Sequence, residues 1–461
     1  MVIAMLQSVP TLSRSVISEI ERRLDEPTAK GLAGAVGRAI RDGVLAPGDR
    51  LPPIRGLAHE LTLSPTTVSA AWGLLARAGT LRTEGRRGTV VADVSAPREG
   101  RYRQALEHQA GFTLDLSTGI PDEGLLPGLA RALRAVTTAG TPHSYLDDPV
   151  LPELAEVLLA GWPYRPPALT VVDGALDGME LVIRTLLRYG DRVVVEHPSF
   201  PPILDLLEAA GVEVVGVPLD SEGPAPAAFA EAQAGPVRAV FLQPRGQNPT
   251  GISLSAQRAR ALARLLEGTE TVVVEDDSAS AISTAPEVSL GRWLPEQTVH
   301  VRSFSKSHGP DLRLAAMSGP EALMADVRHL RQLGQGWSSR LLQRMLLDLL
   351  TDDRSRAEVA TAREEYARRR RAFVDALAAR GVEVGGDDGL NVWVPVHDES
   401  AALVRLASRG IGVAPGTPFD VLPSAQGHIR VTVGLVDADL DAVVDEVAAA
   451  ARTGGWGSRV R

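Results

Sequence analysis

The stretch VRSFSKSHGPDLRLA (Val301–Ala315) runs from a β-prone segment into Ser303, Ser305 and Lys306, with Arg313 seven residues beyond the lysine. Of the 48 Lys and Arg in the 461-residue chain, only Lys30 and Lys306 are lysines. A chain that elsewhere meets its need for positive charge with arginine keeps an amine here. An amine can condense with an aldehyde to a Schiff base, and a guanidinium cannot. The two hydroxyls and Arg313, a potential bidentate clamp, suit a phosphate. An aldehyde-bearing phosphate ester such as pyridoxal 5′-phosphate (PLP) combines both groups. The plainer reading is a surface lysine after a strand.

Outward from this stretch, apolar β-like runs alternate with helical ones from Thr113 onward: VVDG (171–174), DRVVVEHP (191–198), VEVVGVPL (212–219), AVFLQP (239–244), TVVVEDD (271–277) and HVRSFSK (300–306). That succession predicts an α/β domain around a mostly parallel sheet. The 44% hydrophobic and 23% charged fractions fit a folded chain rather than a disordered one. The absence of cysteine excludes disulfides, thiol catalysis and Cys-ligated metal, and no metal site is expected. No apolar run is long enough to span a membrane. The opening MVIAMLQSVP has no basic start, so the expected location is cytoplasmic.

The net charge of −9 hides an asymmetry, because Thr28–Asp93 alone carries about +4. A basic module on an acidic body suggests a nucleic-acid reader attached to something else. Residues 29–42 have helical apolar spacing, and 44–53 form a turn-rich connector. Ile54–Leu61 is a short second helix. Ser64 can cap a third that opens on Pro65. Short strands are expected near Thr80–Thr83 and at Thr89–Val91, around the turn EGRRG (84–88). Three helices and a hairpin make a winged helix-turn-helix. The expected divisions are an N-terminal extension (1–27, with a helix near Ser13–Leu24), the head (28–93), a polar linker (94–112) and the body (113–461). Within the body, a small C-terminal subdomain is expected at about 350–455.

The order GDRLPPIRGLA, SPTTVSAAWGLLARAGTL and GRRGTVV resembles the GntR family of transcription regulators. The resemblance puts Arg55, Ser64, Thr66, Thr67, Arg86, Arg87 and Gly88 at the DNA. Hydroxyls at a helix start reach phosphates or base edges, and wing arginines supply salt-sensitive attraction. Pro65 departs from the pattern, since many relatives have arginine there.

From about Leu114 the chain resembles fold-type I, aspartate-aminotransferase-like PLP enzymes, which implies a seven-stranded, mostly parallel sheet. LSTGIPD (116–122) looks like the substrate-side loop and supplies Gly119. VVDGALDGME (171–180) resembles the phosphate-binding turn, with the amides of Ala175 and Leu176 at a helix start. The resemblance further implies Phe200 stacked on the ring, Asn248 of QNPTG beside the ring hydroxyl and Asp276 at the pyridine nitrogen. It also implies Lys306 as the Schiff-base lysine, Arg430 of HIRVTVG binding an α-carboxylate, and Tyr145 reaching the cofactor of a second subunit, hence a homodimer. Each motif alone has a bland alternative as a turn, a cap or core.

Departures from the enzymes' pattern are Ser278 in place of a ring-contacting tyrosine, Val150 in place of a glycine, and the run Leu314–Ala316 without its usual glycine. They weigh against efficient transamination. A GntR-type head on such a body is similar to the MocR subfamily of regulators, and EDDS, QNPTG and SKSHGPDLRLA look closest to its PtsJ-like branch, associated with vitamin B6. The implied function is a PLP-binding transcription regulator whose effector is PLP, another B6 vitamer or an amino compound. The alternative is an aminotransferase of an α-amino acid carrying a DNA-binding head.

Overall fold

The computed structural model describes residues 11–42, 44–46, 48–77, 81–83, 88–91, 100–106, 112–137, 148–437 and 439–454. Two compact units make up the chain: Met1–Glu99 with Arg188–Asp191 and Leu207–Glu213, and Gly100–Leu187 with Arg192–Leu206 and Val214–Arg461.

In the first unit, helices occupy Thr11–Glu21, Ala29–Arg41, Ile54–Glu60 and Pro65–Arg77, and strands Leu81–Thr83 and Thr89–Val91 pair antiparallel. Two side chains start helices by accepting orphan amides: Thr28 Oγ1 from Gly31 N at 3.0 Å and Ser64 Oγ from Thr67 N at 3.0 Å. Leu32, Val36, Leu57, Val68, Ala71, Trp72 and Leu75 form the core. The helix expected near Ser13–Leu24 is Thr11–Glu21, and its Ile20 is fully buried in that same core. An isoleucine buried this completely contributes roughly 1.5–3 kcal/mol, so this helix is part of the head's packing.

The second unit holds an eight-stranded sheet in the order Ala168–Val172, Ala315–Gly319, Thr298–Ser303, Val272–Asp277, Ala239–Leu242, Arg192–His197, Glu213–Asp220, Gly223–Pro224. This is one strand more than the seven expected. The extra one is the two-residue Gly223–Pro224, which turns back on Leu219 and Asp220 and is too short to register as a β pattern. The four strands from Thr298–Ser303 to Arg192–His197 are parallel, and Ala315–Gly319 runs antiparallel between its neighbours. Val193–Val195, Ala239–Leu242 and Val273–Val274 are buried throughout, as strands covered on both faces must be.

Toward the C-terminus, Asn391–Val396, Gly427–Thr432 and Ala414–Pro415 form a second sheet. It packs with helices Asp353–Ala379, Glu399–Ser408 and Leu440–Ala451 around Phe373, Val392, Val394, Ile429, Val431 and Val444. Register pairs Trp393 with Arg430.

The linker expected over 94–112 does not hold throughout. Arg101–Leu106 is a helix of the second unit. Arg101 N donates to Asp205 Oδ1 at 2.9 Å, Arg101 Nη1 donates to the Asp420 carbonyl at 2.7 Å, and Ala105 is buried with Ala414 and Phe419. A helix of six residues is too short to show a hydrophobic period. No described helix is long and apolar enough to cross a membrane.

Candidate functional site

Strand register assembles one end of the site. Ser303 pairs with Ala315, and Ala315 pairs with Val172. The turns after Ser303 and Val172 therefore leave the same edge of the sheet, although 130 residues separate them. After Val172 the chain passes through Gly174 at φ +105° into the helix Ala175–Leu186. The first amides of that helix, those of Ala175 and Leu176, lack intrahelical partners by geometry and face an anion favourably. Arg313, itself left-handed at φ +48°, brings its guanidinium to this turn, with Nη2 3.5 Å from the Asp173 carbonyl. Ser303 is buried and Ser305 half-buried, and Ser305 N donates to Ser303 Oγ at 3.3 Å. The expected phosphate-binding groups thus converge from two segments.

Lys306 is enclosed. It lines a cavity with Ala105, Thr118, Gly119, Phe200, Asn248 and Arg430. Burial pulls its amine below the ordinary lysine range, Asp276 opposes that and Arg430 reinforces it. A lower value favours the neutral, nucleophilic amine.

Asp276 and Asp277, adjacent on one strand, point to opposite sides of the sheet and have different fates. Burial pushes Asp276 up to about 6, with Gln243 and Lys306 pulling it back. Its Oδ2 accepts from Gln243 Nε2 at 2.7 Å, while Oδ1 is buried with no hydrogen-bond partner among the described residues. Asp277 is also buried, but Arg245 grips both oxygens at 3.1 and 2.5 Å, and Arg245 and His300 hold it below the usual carboxylate range. Asp276 shares a crevice with Phe200, Gln243 and Glu196. Ser278 Oγ lies 3.5 Å from Gln243 Nε2.

At the other end, Arg430 is buried, donates through Nη1 to Asn248 Oδ1 at 3.3 Å and through Nη2 to the Ser117 carbonyl, and lies over Phe419 at 5.2 Å. Gly119, at φ +67°, sits close enough that a Cβ there would stand 3.6 Å from Arg430 Nη1. Thr118 Oγ1 in the same cavity is buried without a partner among the described residues. A wider cavity of about 760 Å³, lined by Arg245, Ser283, Glu287, His308 and Arg363 among others, contains none of the residues singled out in the sequence.

The donor set fits PLP. An unpartnered buried carboxylate oxygen suits a protonated ring nitrogen, an enclosed amine suits the aldehyde, and a helix start with an arginine suits the phosphate. Tyr145 lies outside the described residues. Sequence reasoning missed Gln243, Glu196, Thr118 and Ala105. Gln243 lies in the quoted run AVFLQP, but nothing in the run tells which polar residue turns toward Asp276.

In the head, Ser64 Oγ lies 2.6 Å from Thr66 Oγ1 and 2.8 Å from Thr67 Oγ1, forming a hydroxyl cluster at a helix start. Arg55 and Gly88 are exposed, the latter at φ +95°. Arg86 and Arg87 lie outside the described residues.

Residues 113–447 match the family described as aminotransferase class I and II, and residues 28–91 match bacterial regulatory proteins of the gntR family. The chain belongs to the aminotransferase class I and II family and carries a gntR-family head, the architecture of MocR-type regulators. It is 35% identical to the vitamin B6 salvage pathway transcriptional repressor PtsJ of Salmonella typhimurium, over 92% of this chain and 98% of that one. It is 28% identical to the pyridoxine biosynthesis transcriptional regulator PdxR of Corynebacterium glutamicum, over 84% and 88%. Among solved structures, Thermus thermophilus aspartate aminotransferase with maleate superposes with a TM-score of 0.66 at 26% identity, covering 76% of this chain and 95% of that one.

Proposed function

We propose that this chain is a PLP-responsive transcription regulator acting on genes of vitamin B6 supply. The observation that carries the reading is Asp276 Oδ1, buried and unpartnered among the described residues of the body whose cavity Lys306 lines. Ala175, Leu176, Ser303, Ser305 and Arg313 would hold the phosphate. Phe200 and Asn248 would contact the ring, Asp276 would take its nitrogen, and Lys306 would take its aldehyde. Bound PLP supplies an aldehyde carbon for an amine and a ring that withdraws electrons. Ligand binding regulates only if the ligand binds two states of the body unequally. A homodimer, with Tyr145 completing the partner's site, would present two heads to paired half-sites in the cytoplasm. The names of the two relatives support the B6 assignment.

The test is binding of the purified full chain to the intergenic DNA upstream of its own gene, titrated with PLP, pyridoxal and pyridoxine. A PLP-dependent shift in affinity supports the reading, and an affinity indifferent to all three refutes it. A second reading, an aminotransferase with a DNA-binding head, draws on Arg430, which shares the Lys306 cavity and suits an α-carboxylate. Multiple turnovers with amino donors and 2-oxo acids at ordinary enzyme rates would favour it, and Ser278 counts against it.

A further inference from the structure

Gln243 is the first residue beyond the strand Ala239–Leu242. In register, Leu242 sits beside Glu275, so Gln243 emerges next to Asp276. Its side chain is buried and both ends of its amide are engaged: Nε2 donates to Asp276 Oδ2 at 2.7 Å, and Oε1 accepts from Asn248 N at 2.8 Å. The amide has one workable orientation, because the flipped one would set oxygen against carboxylate and NH₂ against N–H. Its backbone N donates to Glu196 Oε2 at 3.0 Å, on the strand at the other side. One residue thus joins three segments, and it leaves Asp276 a single oxygen, Oδ1, without a partner among the described residues.

We infer that Gln243 is a positioning residue for the ring nitrogen of PLP, aiming the free oxygen of Asp276 by holding the other one; the inference rests on the PLP reading above. The charged and titratable groups around Asp276 are Lys306, Asp277, His300 and Glu196. None of them donates a hydrogen bond to Oδ2. Burial pushes Glu196 up to about 8, which favours its neutral form and lessens its repulsion of Asp276. Without the Gln243 donor, Asp276 loses the group that fixes its rotamer and the strongest influence favouring its ionised form. The pairing with a protonated ring nitrogen is then weakened selectively.

The experiment uses full-length wild type and Gln243→Met, titrated with PLP and with the analogue in which CH replaces the ring nitrogen. Methionine keeps the volume and removes both hydrogen bonds. The expected result is that the substitution lowers affinity for PLP about tenfold more than affinity for the analogue, the scale of one charge-assisted hydrogen bond. Equal losses for the two ligands, or no loss, overturn the inference, because a merely structural amide would not distinguish CH from N. If wild type itself binds no PLP, the underlying reading fails, and that outcome is visible without any variant. Should Gln243→Met not fold, Gln243→Asn keeps an amide too short for both partners. It is held to the same comparison: a selective loss for PLP supports the inference, and equal losses or none overturn it.

Discussion

The guanidinium of Arg313 lies so close to Gly174 that a Cβ on the glycine would stand 3.3 Å from its Nη2. The glycine also sits at φ +105°, which side chains rarely adopt, so the backbone geometry requires its hydrogen, and a Cβ would in addition crowd the guanidinium. Arg313→Ala should weaken PLP binding about 10- to 100-fold, as expected for removing a charge-assisted phosphate contact. Pyridoxal, which lacks the phosphate, should bind both proteins alike. Calorimetric titration with the two ligands checks this.

Lys306→Ala should abolish covalent capture of PLP while leaving the fold intact, since the enclosed amine has no structural hydrogen bond to lose among those described. Lys306→Arg should fail equally, because a guanidinium does not condense with the aldehyde. Borohydride reduction followed by intact mass reads the result, with circular dichroism as the control. A retained adduct in either variant would refute the assignment.

PLP affinity should strengthen as pH rises through about 6, where the Asp276 carboxylate ionises and can pair with the ring nitrogen. Asp276→Asn should bind more weakly and lose this dependence. Dissociation constants between pH 5 and 8 decide it.

Glu196 gives a stability prediction of opposite sense. Its folded value of about 8 lies above the ordinary 4.5, so the folded chain keeps a proton that the unfolded chain releases. Stability from this group is therefore greatest below pH 4.5 and is lost as pH rises toward 8. Glu196→Gln should flatten that slope and raise stability at pH 8 by an amount on the order of a few kcal/mol. Denaturant midpoints of the cofactor-free protein at pH 5 and 8 provide the comparison.

In the head, Ser64→Ala removes the acceptor for Thr67 N and should cost about 0.5–2 kcal/mol of the head's stability. Arg55→Ala should lower DNA affinity and reduce the salt slope by about one if it contacts a phosphate. DNA-binding isotherms at several salt concentrations separate the two effects.

The sequence by itself determined the two-part architecture. Helical apolar spacing with a Ser64 cap, and valine-rich runs for strands buried on both faces, are local patterns that survive without coordinates. It also singled out Lys306 for the proposed PLP site, because Lys306 stands among hydroxyls ahead of an arginine and Lys30 does not. Only the tertiary structure decided which polar groups were left over. That Asp277 is consumed by Arg245 while Asp276 keeps a free oxygen follows from neighbours 32 and 33 residues away, and the Arg430–Asn248 contact spans 182. The place of Ile20 in the head's core and of Ala105 beside Lys306 depends on packing against distant segments. Hydrogen-bond satisfaction is a property of the assembled strands, and register, not composition, set Gln243 beside Asp276.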